Sequence, residues 1–269
     1  MHKWLLLLPI SLCALEVQPW FREEWEFNFD SSFTYSRYRD VQGAHPQLKA
    51  TSNDHVLAFD LGVATSETWA FDVDIEFADT PRQKMGLRSS AFQLRYQWLD
   101  DIPGDPVTLI TGASIRGVSG HSLKDVSCPY HYYANYELSF TLGKEWYQQL
   151  DPHWMIRAYL TAAAGIANRG APWANFLAVL EGHPGPAHRL GLFGMSYLGF
   201  GSHIHIDVDH FHGYASIRHR SIDVGATYAY VFEDWGTLRF AYTRRVFARL
   251  FPENVNFFTV SYSLPFTFF

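Results

Sequence analysis

The chain closes with the sequence Val255-Asn-Phe-Phe-Thr-Val-Ser-Tyr-Ser-Leu-Pro-Phe-Thr-Phe-Phe269. From Phe258 to Phe268, one parity is apolar and mostly aromatic, whereas the other parity is mostly small or polar, as at Ser261 and Thr267. Because successive side chains of a strand point to opposite faces, this pattern predicts a strand with one apolar and one largely polar face. Such a strand would aggregate if its apolar face met water, but it suits a closed barrel surrounded by lipid.

The same alternation recurs along the chain. It is clearest over residues 69–78, where aromatic and branched side chains alternate with alanine and acidic ones. Short, turn-rich connections such as 100–105 and 183–187 alternate with longer ones at 39–53, 79–89, 118–130 and 207–219. Short turns on one side and long loops on the other are typical of outer-membrane barrels. An even strand number favours one long strand over residues 189–208, and we predict an all-β, closed antiparallel transmembrane β-barrel of about twelve strands formed by residues 15–269.

Composition agrees with this class. The chain is 48% hydrophobic and 17% aromatic, yet its mean hydropathy is only −0.12. Inward-facing polar residues dilute the hydropathy of a barrel in this way. With a net charge of −6 and no basic patch, we expect no nucleic-acid partner.

The N-terminus predicts a cleaved signal peptide over residues 1–14. A basic start, Met1-His-Lys3, precedes an apolar run from Trp4 to Ala14 that is too short to span a bilayer. Cys13 leaves a lipoprotein anchor open as an alternative. Since only Cys128 would remain after cleavage, no internal disulfide is expected, and Cys128 is predicted to be a free thiol in a surface loop or to form an intermolecular disulfide.

Taken with these features, the chain resembles a bacterial outer-membrane β-barrel protein. The resemblance is carried by the signal peptide, the alternating strands, and the spacing of Tyr262, Leu264, Phe266 and Phe268 two residues apart. It departs from the family pattern at Pro265 and at the extra residue Phe269. It implies location in the outer membrane, contact with the lipid bilayer, and recognition of the C-terminal strand by the barrel-assembly machinery. It does not indicate an oligomeric state.

The polar faces of the predicted strands point to the lumen. On this register acidic residues gather on the first strands and basic residues on later ones; the candidate pore-lining residues are Asp72, Asp74, Glu76, Arg95, Arg157 and Arg239. Two interpretations stay open: a water-filled pore that screens solutes by charge, or a narrow barrel plugged by acid–arginine pairs. We expect a passive or weakly selective channel for small hydrophilic solutes.

A candidate metal site lies in the sequence His203-Ile-His205-Ile-Asp207. In a strand, residues two apart lie about 6.6 Å from one another on one face, so two imidazoles and a carboxylate could share a metal ion. The alternative is a polar strand extension beyond the membrane. We expect no other cofactor.

Two other function classes are known for outer-membrane barrels, enzymes and adhesive or structural proteins. Outer-membrane lipid hydrolases carry a Ser–His pair, commonly as His-x-Ser-Asn, and the sequence contains neither this motif nor a nucleophile elbow or phosphate loop. We therefore expect no enzyme activity. A plugged barrel that serves as an adhesin, a binding protein or a structural protein, with loop 118–130 as its contact surface, remains the alternative to a channel.

Overall fold

A computed structural model describes residues 18–48, 50–148, 151–233 and 235–268. The predicted signal peptide, residues 1–14, lies outside the described residues. The barrel strands are β1 (Phe27–Tyr38), β2 (Ser52–Ala64), β3 (Trp69–Thr80), β4 (Gln83–Leu99), β5 (Thr108–Val118), β6 (Ala134–Gln148), β7 (Asp151–Ala167), β8 (Trp173–His183), β9 (His188–Gly199), β10 (Arg220–Phe232), β11 (Gly236–Arg249) and β12 (Asn256–Phe266).

Each strand pairs antiparallel with its neighbours in sequence, and the first strand pairs with the last. The closing ladder runs from Phe27 opposite Phe266 to Arg37 opposite Asn256. The predicted fold, a closed antiparallel barrel of twelve strands, is therefore confirmed. Among the described residues, no helix is long and apolar enough to cross a membrane.

Two strand boundaries differ from the sequence-based expectation. The single strand predicted over 189–208 ends at Gly199, and residues 200–219 form a loop. The loop predicted over 79–89 is instead a tight turn, because β3 continues to Thr80 and β4 begins at Gln83. The hydroxyl of Thr80 accepts hydrogen bonds from the backbone N–H groups of Arg82 and Gln83, which closes this turn.

The two faces of the barrel wall follow the predicted alternation. Side chains such as Ile75, Leu138 and Leu160 face outwards and are exposed, as lipid contact requires, whereas Asp72 and Glu76 face inwards and are buried. At the end of the barrel with the short turns, which we call the turn end, exposed tryptophans form a rim: Trp25, Trp69, Trp98, Trp146, Trp154 and Trp235. Indole rings favour the membrane–water interface.

At the opposite end, which we call the loop end, four loops pack over the barrel: 39–48 with 50–51, 119–133, 200–219 and 250–255. They share a hydrophobic core made by Tyr38, Val41, Ala44, Val126, Ile206, Val208, Phe211, Tyr214, Ile217, Leu250, Phe251, Val255 and Phe257. A short parallel ladder joins Ala44–His45 to Ile206–Asp207, and a single 3-10 turn spans Ser122–Lys124.

Cys128 lies inside the layer that these four loops form over the barrel, which we call the loop layer. Its side chain is buried against Val118 and Leu123, so the prediction of a surface thiol is wrong. The loop folds inwards because its apolar residues have no lipid to face beyond the membrane and must be buried against protein.

Candidate functional site in the barrel lumen

The predicted acidic residues of β3 form ion pairs along the lumen wall. Arg95 from β4 binds Asp72 through two hydrogen bonds, Nε to Oδ2 at 2.8 Å and Nη2 to Oδ1 at 3.0 Å. Arg116 from β5 places its Nη1 at 2.5 Å from Asp74 Oδ1 and at 3.7 Å from Glu76 Oε1. Charge-assisted bonds of this kind are the strong class of protein hydrogen bonds. The three carboxylates are thus neutralised by arginines one or two strands away.

Glu76 is also the point where a loop reaches the lumen wall. Its carboxylate accepts hydrogen bonds from Ser89 at 3.0 Å and from the Tyr130 hydroxyl at 2.7 Å, and Arg88 lies 4.0 Å away. The guanidinium groups of Arg88 and Arg116 lie 5.7 and 4.9 Å from the centroid of the Tyr130 ring. Loop 119–133 therefore descends into the barrel and contacts the charged cluster on β3.

The remaining predicted lumen residues lie on other strands. Arg157 pairs with Glu145, its partner in the adjacent strand β6. Arg239 faces inwards from β11, between Ala229 of β10 and Ser261 of β12 in the ladder. The structure thus brings Asp72, Asp74, Glu76 and Arg95 together with Arg116, but it places Arg157 and Arg239 on separate parts of the wall.

Sequence reasoning missed one of the most buried ion pairs. Arg245 donates from Nε and Nη2 to Asp223 at 2.7 and 2.8 Å, and it lies over the Phe251 ring at 4.4 Å. Arg245 shares the parity of Arg239, so a longer strand prediction would have found it. The sequence-based prediction ended this strand too early, whereas β11 continues to Arg249.

These ion pairs join neighbouring parts of the wall rather than opposite sides of the barrel. Space therefore remains in the lumen beneath the loops. One cavity of about 60 Å³ lies between Asp54, Glu76 and the Asp223–Arg245 pair. A second cavity of about 110 Å³ lies beneath Tyr130 and His131.

The chain's own N-terminal segment covers the turn end. The Gln18 carbonyl accepts a hydrogen bond from Arg95 Nη1 at 3.2 Å, and Trp20 Nε1 donates to Asp101 Oδ1 at 2.8 Å. The Trp20 ring is only 9% exposed and lies 4.8 Å from the Arg157 guanidinium. Both ends of the lumen are thus covered, one by loops and the other by residues 18–22.

Two buried histidines join the outer loops. His131 in loop 119–133 and His219 at the end of loop 200–219 have their Nε2 atoms 3.1 Å apart. His131 stacks on Trp173 with ring centroids 3.9 Å apart. Burial lowers the pKa of both imidazoles; for His219, burial and the nearby Arg245 lower the pKa to about 3. Both rings are therefore neutral at neutral pH, and one donates to the other.

The proposed metal ligands are not gathered around one point. The rings of His203 and His205 are stacked with their centroids 6.3 Å apart. The Asp207 carboxylate instead accepts bonds from the backbone N–H groups of Asp209 and His210 and contacts His210 Nδ1 at 2.9 Å. In the part of the chain that the structure describes, no three His, Cys, Asp or Glu side chains are placed to hold a metal ion. This geometry does not favour the metal interpretation.

Comparison with known proteins gives a likeness of fold. The sequence matches no protein-family model and no curated protein. An outer membrane channel from Pseudomonas putida F1 is similar over 94% of this chain and 100% of its own, with a TM-score of 0.61 and 10% identity. The NanC porin is similar over 88% of this chain and 98% of its own, with a TM-score of 0.55 and 10% identity.

A third similar structure is the KdgM porin in complex with disordered oligogalacturonate. It covers 89% of this chain and 99% of its own, with a TM-score of 0.52 and 8% identity. These likenesses establish the architecture of a bacterial outer-membrane β-barrel of the kind that porins and channels use. The predicted class of protein is confirmed at this level, and the solute is a separate question.

Proposed function

We propose that this barrel is an outer-membrane channel with a narrow, covered lumen that passes small hydrophilic solutes. The supporting observation is the inward face of the wall, which is largely polar and most of whose buried charges are paired along the wall, leaving cavities between the two covers. A wall of this kind offers hydrogen bonds to a hydrated solute without the cost of an unpaired buried charge.

We expect the channel to be weakly cation-selective. On the inward faces of the described strands, carboxylates outnumber guanidinium groups, and those of β3 are concentrated in one cluster. Residual negative potential in a low-dielectric passage attracts cations and repels anions. Since most of the charges are paired, the preference is expected to be modest.

A planar-bilayer recording in a salt gradient tests this proposal. Refolded protein should give discrete current steps and a reversal potential on the cation side. Asp72→Asn leaves Arg95 without its carboxylate partner and should move the reversal potential towards anions, whereas Asp209→Asn, on an exposed loop, should not. Heat-modifiable mobility on gels confirms that each variant is folded. Folded protein that never conducts, even when residues 18–22 are removed, would contradict the channel.

A closed barrel that acts as a binding or structural protein is the second candidate. The hydrophobic core shared by the outer loops favours this alternative. Loops that pack around a common core form a stable, ordered layer, which would keep the loop end of the barrel closed. Silent bilayers with intact, heat-modifiable protein would support this alternative.

A further inference from the structure

Four exposed arginines lie on the outward face of the wall at the loop end, within one sector of neighbouring strands. These four, which we call the outer arginines, are Arg37 on β1, Arg220 on β10, and Arg244 and Arg249 on β11. Because a strand places residues two apart on one face, Arg220 shares the outward face of the exposed Ile222. Arg249 lies opposite Arg220 in the ladder, so it points outwards as well.

The outer arginines form two pairs. In the first pair, Arg37 and Arg244 both lie opposite Asn256 of β12, so two strand spacings of about 4.8 Å separate their backbones. In the second pair, Arg220 lies directly opposite Arg249. Like charges directly opposite one another destabilise a sheet, so this arrangement is expected to need a counter-charge.

The described part of the chain does not supply that counter-charge. The outward faces of β1, β10, β11 and β12 contain no carboxylate, since Asp30 and Asp223 point to the lumen. None of the outer arginines forms an ion pair with a described carboxylate. Inside the barrel, by contrast, Arg95, Arg116 and Arg245 are all paired. The outward charge therefore favours an anion that comes from outside the protein.

An aromatic row lies directly beneath the first pair, towards the middle of the wall. It consists of Tyr35, Phe258 and Tyr242, each two residues nearer the turn end than the first pair and Asn256. The Phe258 ring centroid lies 6.5 Å from that of Tyr35 and 5.2 Å from that of Tyr242. The Tyr242 hydroxyl donates to Asn256 Oδ1 at 2.8 Å, which connects the row to the level of the arginines.

The second pair also lies above apolar side chains. The exposed Ile222 and Phe247 lie opposite each other, each two residues nearer the turn end than its arginine. On this face, apolar side chains contact acyl chains, whereas basic ones near the rim reach lipid headgroups. Both pairs thus match the layers of a lipid, with the charged group outside and the hydrocarbon inside.

The opposite part of the wall has no such charges. At the loop end of β5, β6 and β7, the outward residues Ile115, Tyr136 and Ile166 lie opposite one another in the ladders and are uncharged. A general attraction to anionic lipid would not require the arginines to be gathered on β10, β11 and β1. Their position in one sector indicates a local binding site.

We infer that the outer arginines bind the phosphate groups of a glycolipid in the outer leaflet, with its acyl chains along the aromatic row. Arginine binds phosphate through two parallel hydrogen bonds. A phosphomonoester carries a charge of about −1.5 to −2 at neutral pH, so one such group balances one pair of arginines, whereas a phosphodiester carries a single charge. The four arginines therefore fit a lipid with two phosphomonoesters, as in lipid A. This site lies outside the lumen and is independent of the proposed channel.

Native mass spectrometry of the refolded full chain in a neutral detergent measures this binding. The probes are diphosphoryl lipid A, the same lipid A with both phosphates removed, and phosphatidylglycerol, which has one phosphodiester. Diphosphoryl lipid A should bind with a dissociation constant roughly tenfold or more below those of the other two. Inorganic phosphate in large excess should not displace it, because only a lipid also contacts the aromatic row.

Two double variants test the residues. Arg37→Gln with Arg244→Gln removes the first pair and should weaken binding of diphosphoryl lipid A roughly tenfold, and the same change in the second pair should have a similar effect. The matched control is Lys84→Gln with Arg169→Gln, which removes as much charge from exposed loop-end positions outside this sector and should leave the affinity unchanged. Heat-modifiable mobility on gels confirms that each variant is folded.

Four results would overturn the inference. They are equal affinity for lipid A with and without its phosphates, equal affinity for phosphatidylglycerol, displacement by inorganic phosphate, and wild-type affinity in both double variants. An equal loss in the control variant would also contradict it, because total charge rather than this sector would then attract the lipid. Bilayer recordings test the channel separately, so failure of one proposal leaves the other standing.

Discussion

Acidification should release the outer loops from one another through the His131–His219 pair. The two rings are buried and neutral, and they share one hydrogen bond between Nε2 atoms 3.1 Å apart. Protonating the accepting ring places two N–H groups face to face and adds a positive charge near Arg245, whose own charge already lowers the pKa of His219. Burial contributes most to lowering both pKa values, and a charged or titratable neighbour adds to it: His219 for His131, and Arg245 for His219.

The size of the effect follows from the pKa of His219. This pKa is about 3 in the docked loops, against about 6.5 for a solvated histidine. Because the docked pKa is depressed, the stabilisation is complete above pH 6.5 and is lost as the pH falls towards 3. At pH 4.5, two units below 6.5, docking is weakened about 100-fold, or about 2.7 kcal/mol, for this one histidine. His131, whose pKa is also lowered by burial, adds to the loss.

Amide hydrogen exchange of the refolded protein measures this directly. The N–H groups of Tyr214 and Ala215 donate across the loops to the carbonyls of Tyr130 and His131, at 3.2 and 3.1 Å. Their protection factors, corrected for intrinsic exchange at each pH, should fall at least 100-fold between pH 7 and 4.5. Amides in the middle of β7 serve as the internal reference, because the barrel wall does not depend on these histidines.

A double variant, His131→Phe with His219→Phe, keeps the aromatic stacking but cannot titrate. Its protection at Tyr214 should be lower at pH 7 and nearly independent of pH. Protection in the wild type that does not change between pH 7 and 4.5 would refute the reasoning. A double variant that still loses protection as steeply as the wild type would assign the pH dependence to other groups.

Three further outcomes are expected. Trp20→Ala should raise single-channel conductance several-fold, because it removes the buried ring at the turn end, whereas Trp235→Ala, on the exposed rim, should leave conductance unchanged. Cys128 should react with maleimide at least 100-fold more slowly in folded than in denatured protein, since burial excludes the reagent and raises the pKa of the thiol. Arg245→Met should cost about 3–5 kcal/mol in a denaturant titration by leaving Asp223 unpaired, and the double variant with Asp223→Leu should recover much of that loss.

The barrel and its inward face could be predicted because their signal is local. A period of two residues places Asp72, Asp74 and Glu76 on one face whatever the rest of the chain does. Their partners could not be predicted in the same way. Arg116 is reached through two further strands, so its contact with Asp74 depends on register and barrel curvature rather than on spacing.

The shared hydrophobic core of the loop end was not predicted, although the sequence carries a signal for it. The segment from Ile206 to Phe211 has apolar side chains at a place in the chain where no lipid is available. Apolar residues in a long external loop predict burial against other loops, but not which loops. The predicted metal ligands His203, His205 and Asp207 lie in this loop rather than in a barrel strand, because the strand ends at Gly199.

The loop layer also bears on how the barrel could come apart. A barrel made from one chain has a single joint between its first and last strands, here β1 and β12. Directly above that joint, the Gln42 N–H donates to the Phe251 carbonyl at 3.1 Å, and the Leu250 N–H donates to Gln42 Oε1 at 2.7 Å. At the opposite end of the joint, Phe27 stacks on Phe266. Contacts at both ends therefore hold β1 and β12 together. A molecule could leave the lumen sideways between these two strands only after the contacts among the outer loops are broken.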